Sequence, residues 1–545
     1  MKRFRLNILL GVVLLCVLPT RAQVDPVEAR LAQMTLEHKV GQMFMVNLFG
    51  LGLTEAGRAV LQEWQPGAVV LTDSNIDTPE QITRLTNAYQ QTITEAGGPP
   101  LIVAVDQEGG IIARLQEGFT TWPVPMLLTA ANDPVLARDV GAAMGAELRA
   151  VGVNMNLAPV VDLQTNLRNP IIGRRSPGSD GALVGQMVTG FIEGMRSAGV
   201  LAATKHFPGH GDTSEDSHTT LPELPHDLER LSAVELPPFI NAIQADTGAV
   251  MMAHIWFSAF DETIQPASLS YNIITGLLRE RLGYNGIIMT DAMDMDAIDT
   301  AYSAEEAAVQ AVLAGNDFLL VGANAGEGIQ RRMMQAVVDA VLAGTIDESR
   351  IEESVRRILT AKAELGLLEW TPLDPVTARE RIDLNAHAAL IEVVFDAGVS
   401  LVRDEASVIP FNSEANVGIV YPGNRALVQR ECDLYTDSAR WLAVSDRPGE
   451  DEIRTVAALA AQVDTVVVFT RDAVDNTAQQ VLVNALPPEK TFVVALISPF
   501  DALRFPTVAG YMVTYSPLDP GIATACAILF GAQPARGVLS VALSE

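Results

Sequence analysis

The sequence predicts an α/β protein: a (β/α)8 TIM-like barrel followed by a smaller α/β sandwich domain. Three observations predict it. The chain has 545 residues, which is too long for one ordinary core and points to at least two domains. Its apolar segments are continuous rather than alternating, which is how strands of a parallel sheet covered on both faces read. Eight such runs occupy about the first 330 residues, separated by amphipathic stretches. An open doubly wound sheet is the main rival architecture.

The eight runs are 41–49, 66–72, 101–107, 154–162, 202–209, 249–257, 286–291 and 316–322. Between them, TPEQITRLTNAYQQTITEAG (78–97) predicts a helix with Thr78 as N-cap and Pro79 at the first helical position. GALVGQMVTGFIEGMRSAG (181–199) predicts another, and ESRIEESVRRILTAKAELGLL (348–368) closes the barrel half. A Pro-rich, charged stretch at 371–385 reads as a linker between a barrel domain over 25–370 and a second domain over 386–545. In the second domain a helix is expected at 386–397 and strands at GVSLVRD (398–404), 416–422, 465–470 and 491–499.

Composition excludes several functions. Forty-eight per cent hydrophobic and 19% charged residues describe a folded globular chain. A net charge of −29 leaves no basic footprint for nucleic acid. The N-terminus carries Lys2, Arg3 and Arg5, an apolar run from Leu6 to Leu18, and a Thr-Arg-Ala end at Ala22. Residues 1–22 therefore read as a secretory signal peptide, too short for a membrane span, and the expected location is secreted or periplasmic, without stable membrane insertion. Its removal takes away four bases (Lys2, Arg3, Arg5, Arg21) and no acid, moving the charge from −29 to −33. It also takes Cys16, leaving Cys432 and Cys526: one disulfide at most, and no thiolate metal cluster.

In (β/α)8 barrels, chemistry sits at the C-terminal ends of the strands. Here those ends carry Asp106, Asp162, Lys205 with His206, His254 and Asp291. Asp291 ends the apolar GIIMT run, where a carboxylate is costly unless it is paired or functional, and a nucleophile for an anomeric carbon must be fixed and ionised in this way. Asp294 and Asp296 read as first-turn helix residues. AVDQEGGIIARL (104–115) reads either as a strand–turn–helix junction with a buried Asp106–Arg114 pair, or as a carboxylate and guanidinium that grip sugar hydroxyls. In NPIIGRRSPGSD (169–180), one of Arg174 and Arg175 is expected to point into the mouth.

Three of seven histidines fall in KHFPGHGDTSEDSH (205–218). No helical ligand spacing crosses Pro208-Gly209, and Lys205 repels a cation, so a metal is not expected; nor is a phosphate loop. What remains is acid–base work, with ordinary polar loop residues as the alternative. Asp216 and His218, two apart, share one side of an extended loop, where the carboxylate fixes the imidazole tautomer. His210 reads as structural.

AVDQEGG (104–110), KHFPGHG (205–211) with the trailing Asp216-Ser217-His218, and Thr-Asp-Ala-Met (290–293) resemble family 3 of the glycoside hydrolases. The branch they resemble is the bacterial β-N-acetylglucosaminidases (β-N-acetylhexosaminidases), over about residues 30–370. VSLVRDEASVIPF (399–411) and AILFGAQPARGVLSVAL (527–543) are similar to the borders of the second domain of two-domain members, with Arg403-Asp404 where Lys-Asn is usual. The resemblance implies a retaining double displacement with Asp291 as nucleophile, His218 as general acid/base and Asp216 as its dyad partner. It implies that Asp106, Arg114, Arg175, Lys205 and His206 hold an N-acetylglucosamine unit, and that no cofactor or metal takes part. Ile111 stands where the family often has a second basic residue. The expected substrate is an N-acetylglucosamine-containing glycan, a peptidoglycan fragment or chitooligosaccharide. A family 3 β-glucosidase or β-xylosidase is the nearest alternative, but those usually carry a Glu acid/base in the second domain and lack Asp-Ser-His. An N-acetylglucosaminide phosphorylase and a non-catalytic sugar-binding protein are the others; the latter predicts loss of Asp216, His218 or Asp291, which are all present.

Overall fold

The computed structural model describes residues 25–543 apart from 406, 413 and 424, so the signal-peptide expectation for 1–22 lies outside the described residues. Eight short strands form one parallel sheet: β1 (Phe44–Asn47), β2 (Ala68–Leu71), β3 (Ile102–Val105), β4 (Met155–Asn156), β5 (Leu201–Phe207), β6 (Ala249–Met252), β7 (Ile287–Thr290) and β8 (Leu319–Leu320). Their order is β7-β6-β5-β4-β3-β2-β1-β8. A parallel bridge between Met289 and Phe318 joins β7 to β8 and closes the barrel.

The strands are apolar throughout because both faces are buried. Met45, Val70, Ile102, Ala104, Met251 and Met289 fill the interior, while their neighbours Val46, Val69, Val103, Val250 and Ile288 pack outward under the helices. The predicted helix cap is present: Thr78 Oγ1 accepts from the Gln81 N–H, and Pro79 opens the helix Pro79–Glu95. The helix Glu348–Glu364 plugs the lower end, placing Ile358 and Ala361 in the interior cluster. Next to them Lys362 is fully buried, with its Nζ donating to Gln42 Oε1 at 2.7 Å.

Residues 371–385 lie against the barrel in two short 3-10 turns, where Arg381 donates to the Ala150 carbonyl and Asn87 to that of Leu373. The helix Leu384–Gly398 follows, and its His387 Nδ1 lies 2.7 Å from the buried Glu147 carboxylate of the barrel.

A second sheet is built from β9 (Ser400–Arg403), β10 (Val417–Pro422), β11 (Arg440–Val444), β12 (Thr465–Thr470), β13 (Thr491–Ala495) and β14 (Gly510–Val513). Its order is β9-β14-β13-β12-β10-β11, with only β9 antiparallel to its neighbour. A disulfide joins Cys432 to Cys526, 94 residues apart, across the helices Leu427–Cys432 and Asp519–Leu529. Residues 538–542 then return to the barrel: Val538 N–H donates to the Ala130 carbonyl, Ser179 N–H to that of Ser540, and Ala542 N–H to Ser179 Oγ. The expected fold class, barrel plus smaller α/β domain, is the one observed.

Candidate active site

The strand tips of the barrel converge on a buried polar cluster. Lys205, in β5, places Nζ 2.7 Å from both Asp106 and Glu108. Arg175 grips Glu108 bidentately, at 2.9 and 2.8 Å. Glu108 is sealed, with 1% of its side chain accessible. Burial works against its charge, but Lys205 and Arg175 outweigh it and hold the carboxyl at about 2, down from 4.5. Burial likewise works against the Lys205 ammonium, and Asp106 and Glu108 outweigh it, so its pKa is raised.

His206 stands beside this group. Its Nδ1 faces Asp162 Oδ2 at 2.7 Å, which leaves Nε2 toward Asp291 Oδ2 at 3.9 Å and Arg175 Nη2 at 3.5 Å. Asp162, fully buried, also accepts the backbone N–H groups of His206 and His210. Asp291 directly follows β7 and accepts the Ala292 N–H at 2.7 Å. Burial would raise its pKa, but His206, His254, the Ala292 N–H and Lys205 hold it at about 2. It is therefore an ionised carboxylate with 19% of its side chain open to the mouth. His254 braces the same turn: Nε2 lies 2.9 Å from the Ala292 carbonyl and Nδ1 2.7 Å from Ser268 Oγ. Burial pushes its pKa down despite Asp291.

His218 and Asp216 sit apart, on the loop after β5. Asp216 Oδ1 lies 2.9 Å from His218 Nδ1 and accepts the His218 N–H at 2.8 Å. The loop is a turn closed by Thr219 and Thr220 N–H groups on the Asp216 carbonyl, and not the extended segment expected; the turn itself folds the two side chains together. His218 is 57% accessible. Among the described residues its ring makes no hydrogen bond to the buried cluster, but the Asp296 N–H donates to its carbonyl at 3.3 Å, tying the loop to the segment after Asp291.

Several expectations are corrected. Arg114 does not pair with Asp106; its guanidinium meets Asp73 at 3.0 Å on the rim, while Asp106 is taken by Lys205. The stretch after Asp106 is a two-stranded hairpin, Gln107–Gly109 with Ile112–Ala113, rather than a helix start. Its left-handed glycines are required: a Cβ on Gly109 (φ 93°) would strike the Pro123 carbonyl. Asp294 is no helix residue; it accepts the Gly322 and Asn324 N–H groups and clamps the β8 loop. Asp296 does open a short helix, Asp296–Asp299. Of the paired arginines, Arg175 points inward and Arg174 outward, 3.7 Å from Asp472 of the second domain. Glu108, central to the cluster, was not singled out from the sequence. The available signal was spacing: residues 106 and 108 fall on one side of an extended chain.

Enzymes that cleave glycosidic bonds on a barrel fix an ionised carboxylate at the mouth and ring it with groups that hydrogen-bond hydroxyls. This molecule is built in that way and its class is glycoside hydrolase. Residues 35–361 match the Glycosyl hydrolase family 3 N terminal domain, and the chain belongs to glycosyl hydrolase family 3. Beta-hexosaminidase A of Pseudoalteromonas piscicida is 34% identical over 377 residues, 64% of this chain and 63% of that relative's length. The Alkalilimnicola ehrlichii beta-hexosaminidase is 38% identical over 283 residues, covering 51% of this chain and 79% of the relative. Among solved structures, a family 3 beta-N-acetylglucosaminidase from Paenibacillus sp. str. FPU-7 superposes with a TM-score of 0.81 at 34% identity, over 94% of this chain and 99% of that one.

Proposed function

We propose that the protein is an exported, retaining β-N-acetylhexosaminidase that removes terminal non-reducing β-linked N-acetylglucosamine from glycans such as peptidoglycan fragments or chitooligosaccharides. The observation that carries the reading is the pairing of two devices on one loop system. One is an ionised strand-tip aspartate, Asp291. The other is an accessible Asp216–His218 pair, tethered through Asp296 to the segment that follows Asp291.

In this reading the Asp291 carboxylate attacks the anomeric carbon as the bond to the leaving oxygen breaks. His218 gives that oxygen its proton, and Asp216 holds the ring through Nδ1. Water then gives its proton to His218 while its oxygen takes the anomeric carbon, releasing Asp291. Two-carboxylate glycosidases use an acid for both proton steps; here the His218 imidazole would serve both, first as donor and then as acceptor. Asp106, Arg114, Arg175, Lys205 and His206 are the groups proposed to hold the sugar, with Arg175 and Lys205 anchored by Glu108.

The test is hydrolysis of 4-nitrophenyl N-acetyl-β-glucosaminide against the corresponding β-glucoside, with and without inorganic phosphate. The expected result is a preference of at least about 100-fold for the N-acetyl substrate, as polar-group discrimination allows, and a rate independent of phosphate. Equal rates on the two sugars, or a phosphate requirement with sugar phosphate as product, would overturn the reading. Export is supported by the basic and apolar start at residues 2–18 and by the Cys432–Cys526 bond, since disulfides persist in oxidising compartments. Recovery of the protein with residue 23 as its N-terminus outside the cytoplasm is the expected outcome; an intact Met1 end inside it would sink the export assignment.

A further inference from the structure

Over residues 214–220 the loop that carries Asp216 and His218 is exposed, apart from the half-buried Asp216 and one fully buried residue. Ser217, between the two, is 2% accessible. Its Oγ lies 2.9 Å from Nε2 of His210, itself 1% accessible. The other ring nitrogen of His210 lies 3.1 Å from Thr213 Oγ1. The backbone of His210 is held from below, where its N–H donates to Asp162 Oδ1 at 2.7 Å and its carbonyl accepts from Asn169 Nδ2 at 2.8 Å. Asp162 also orients His206, whose other nitrogen faces Asp291 and Arg175.

The base of the loop is equally fixed. Asn166 Nδ2 donates to the carbonyls of Asp212 and Thr213, and a Cβ on Gly211 would collide with the Leu163 carbonyl. Between residues 215 and 220 the described residues show no such hydrogen bond to another segment apart from the Asp296 N–H on the His218 carbonyl; from Pro222, whose carbonyl accepts the Trp256 N–H, the chain is held again. A flexible loop with one buried side chain is positioned by that side chain, because burial and a hydrogen bond are what offset the entropy of ordering it.

We propose that His210 and Ser217 form a latch that seats the Asp216–His218 pair at the barrel mouth, making both of them positioning residues for proton transfer. The latch runs from the Asp162 carboxylate, which accepts the His210 backbone N–H, through the His210 side chain to the Ser217 hydroxyl. One buried carboxylate thereby sets the place of the nucleophile's neighbour, His206, and that of the loop bearing the acid. Neither latch residue touches substrate. The inference rests on the reading of His218 as the acid/base.

The test compares wild type, Ser217→Ala, His210→Gln and the double variant, with His218→Ala as reference. Two measurements are made. The first is kcat/KM on aryl N-acetyl-β-glucosaminides of graded leaving-group pKa. Ser217→Ala is expected to lose about tenfold with poor leaving groups, the scale of one buried hydrogen bond and its orphaned partner, and under about threefold with good ones, with KM little changed. His210→Gln should behave alike, and the double variant should lose no more than the worse single, since both break one link. The second is amide hydrogen exchange of residues 213–220, expected to quicken about tenfold in Ser217→Ala while β5 and β7 keep their protection.

Unchanged exchange in 213–220, or a loss equal across leaving groups, overturns the latch. If His218→Ala itself shows no dependence on leaving group, the acid/base reading fails instead, and the exchange measurement still decides whether Ser217 holds the loop. Ser217→Ala removes one oxygen from a surface loop, so it tests the latch even where His210→Gln fails to fold.

Discussion

Glu108 Oε1 lies 2.7 Å from the Lys205 ammonium and 2.8 Å from the Arg175 guanidinium, with the carboxylate 1% and the lysine 3% accessible. One sealed anion therefore compensates two cations that reach toward the mouth. Buried charges persist only in such company, and removing one partner strands the others.

Glu108→Gln is accordingly expected to destabilise the fold by about 3 kcal/mol at pH 7. The sign with pH follows from the depressed carboxyl, held at about 2 against 4.5. The unfolded chain takes up the proton first, so this stability is present above pH 4.5 and is lost as the pH falls toward about 2. Urea unfolding of wild type and variant should show a gap that closes over that interval. A gap that stays constant with pH would exclude Glu108 ionisation as its source.

As the proposed nucleophile Asp291 must be ionised to attack, and its carboxyl is held at about 2. Its protonation should not limit turnover at pH 4, so an acid limb of kcat/KM assigned to it must lie below that. Asp291→Asn keeps the shape and removes the charge; a fall of at least about 10⁴-fold in kcat is the expected scale for a lost nucleophile. A variant with near-normal turnover would remove Asp291 from the chemistry.

Lys362 is fully buried against Gln42, and burial pushes its amine well below the ordinary value of 10.5. Between the two values the unfolded state binds the extra proton, so wild-type stability climbs with pH until about 10.5. Lys362→Met should be more stable than wild type at pH 7, by about 1–3 kcal/mol, with the advantage vanishing near pH 10.5. Chemical unfolding at a series of pH values measures this; a variant less stable at pH 7 would show that the ammonium is well accommodated.

The Cys432–Cys526 bond closes a loop of 94 residues. A cross-link of that span is worth about 4 kcal/mol through the unfolded chain. Cys432→Ser with Cys526→Ser should lower the unfolding temperature of the second domain in calorimetry and leave that of the barrel nearly unchanged. An equal fall in both would mean that the two domains unfold as one unit.

The strands that were legible are those buried on both faces, whose apolar runs are continuous. β11 and β14 were not foreseen. Arg440–Val444 is a half-exposed edge strand with a mixed pattern; Gly510–Val513 is buried and as long as β1, but it opens on Gly510, which reads locally as a turn residue. The site was legible where it sits on strand tips: Asp106, Lys205, His206 and Asp291 gather as expected. Glu108 was hidden because its neighbours Gly109 and Gly110 read as a turn, while its partners lie 67 and 97 residues away. The Arg114–Asp73 pair and the Asp294 clamp on Gly322 and Asn324 are likewise contacts between distant segments, which no local pattern encodes.

Residues 538–542 are stitched to Ala130 and Ser179, and Ser179 belongs to the same connection as Arg175. Synthesis runs in the other direction. A ribosome completes every barrel strand some two hundred residues before it makes the segment that pins this connection. The connection that carries Ser179 therefore gains its hydrogen bonds to Ser540 and Ala542 only once the second domain has been made.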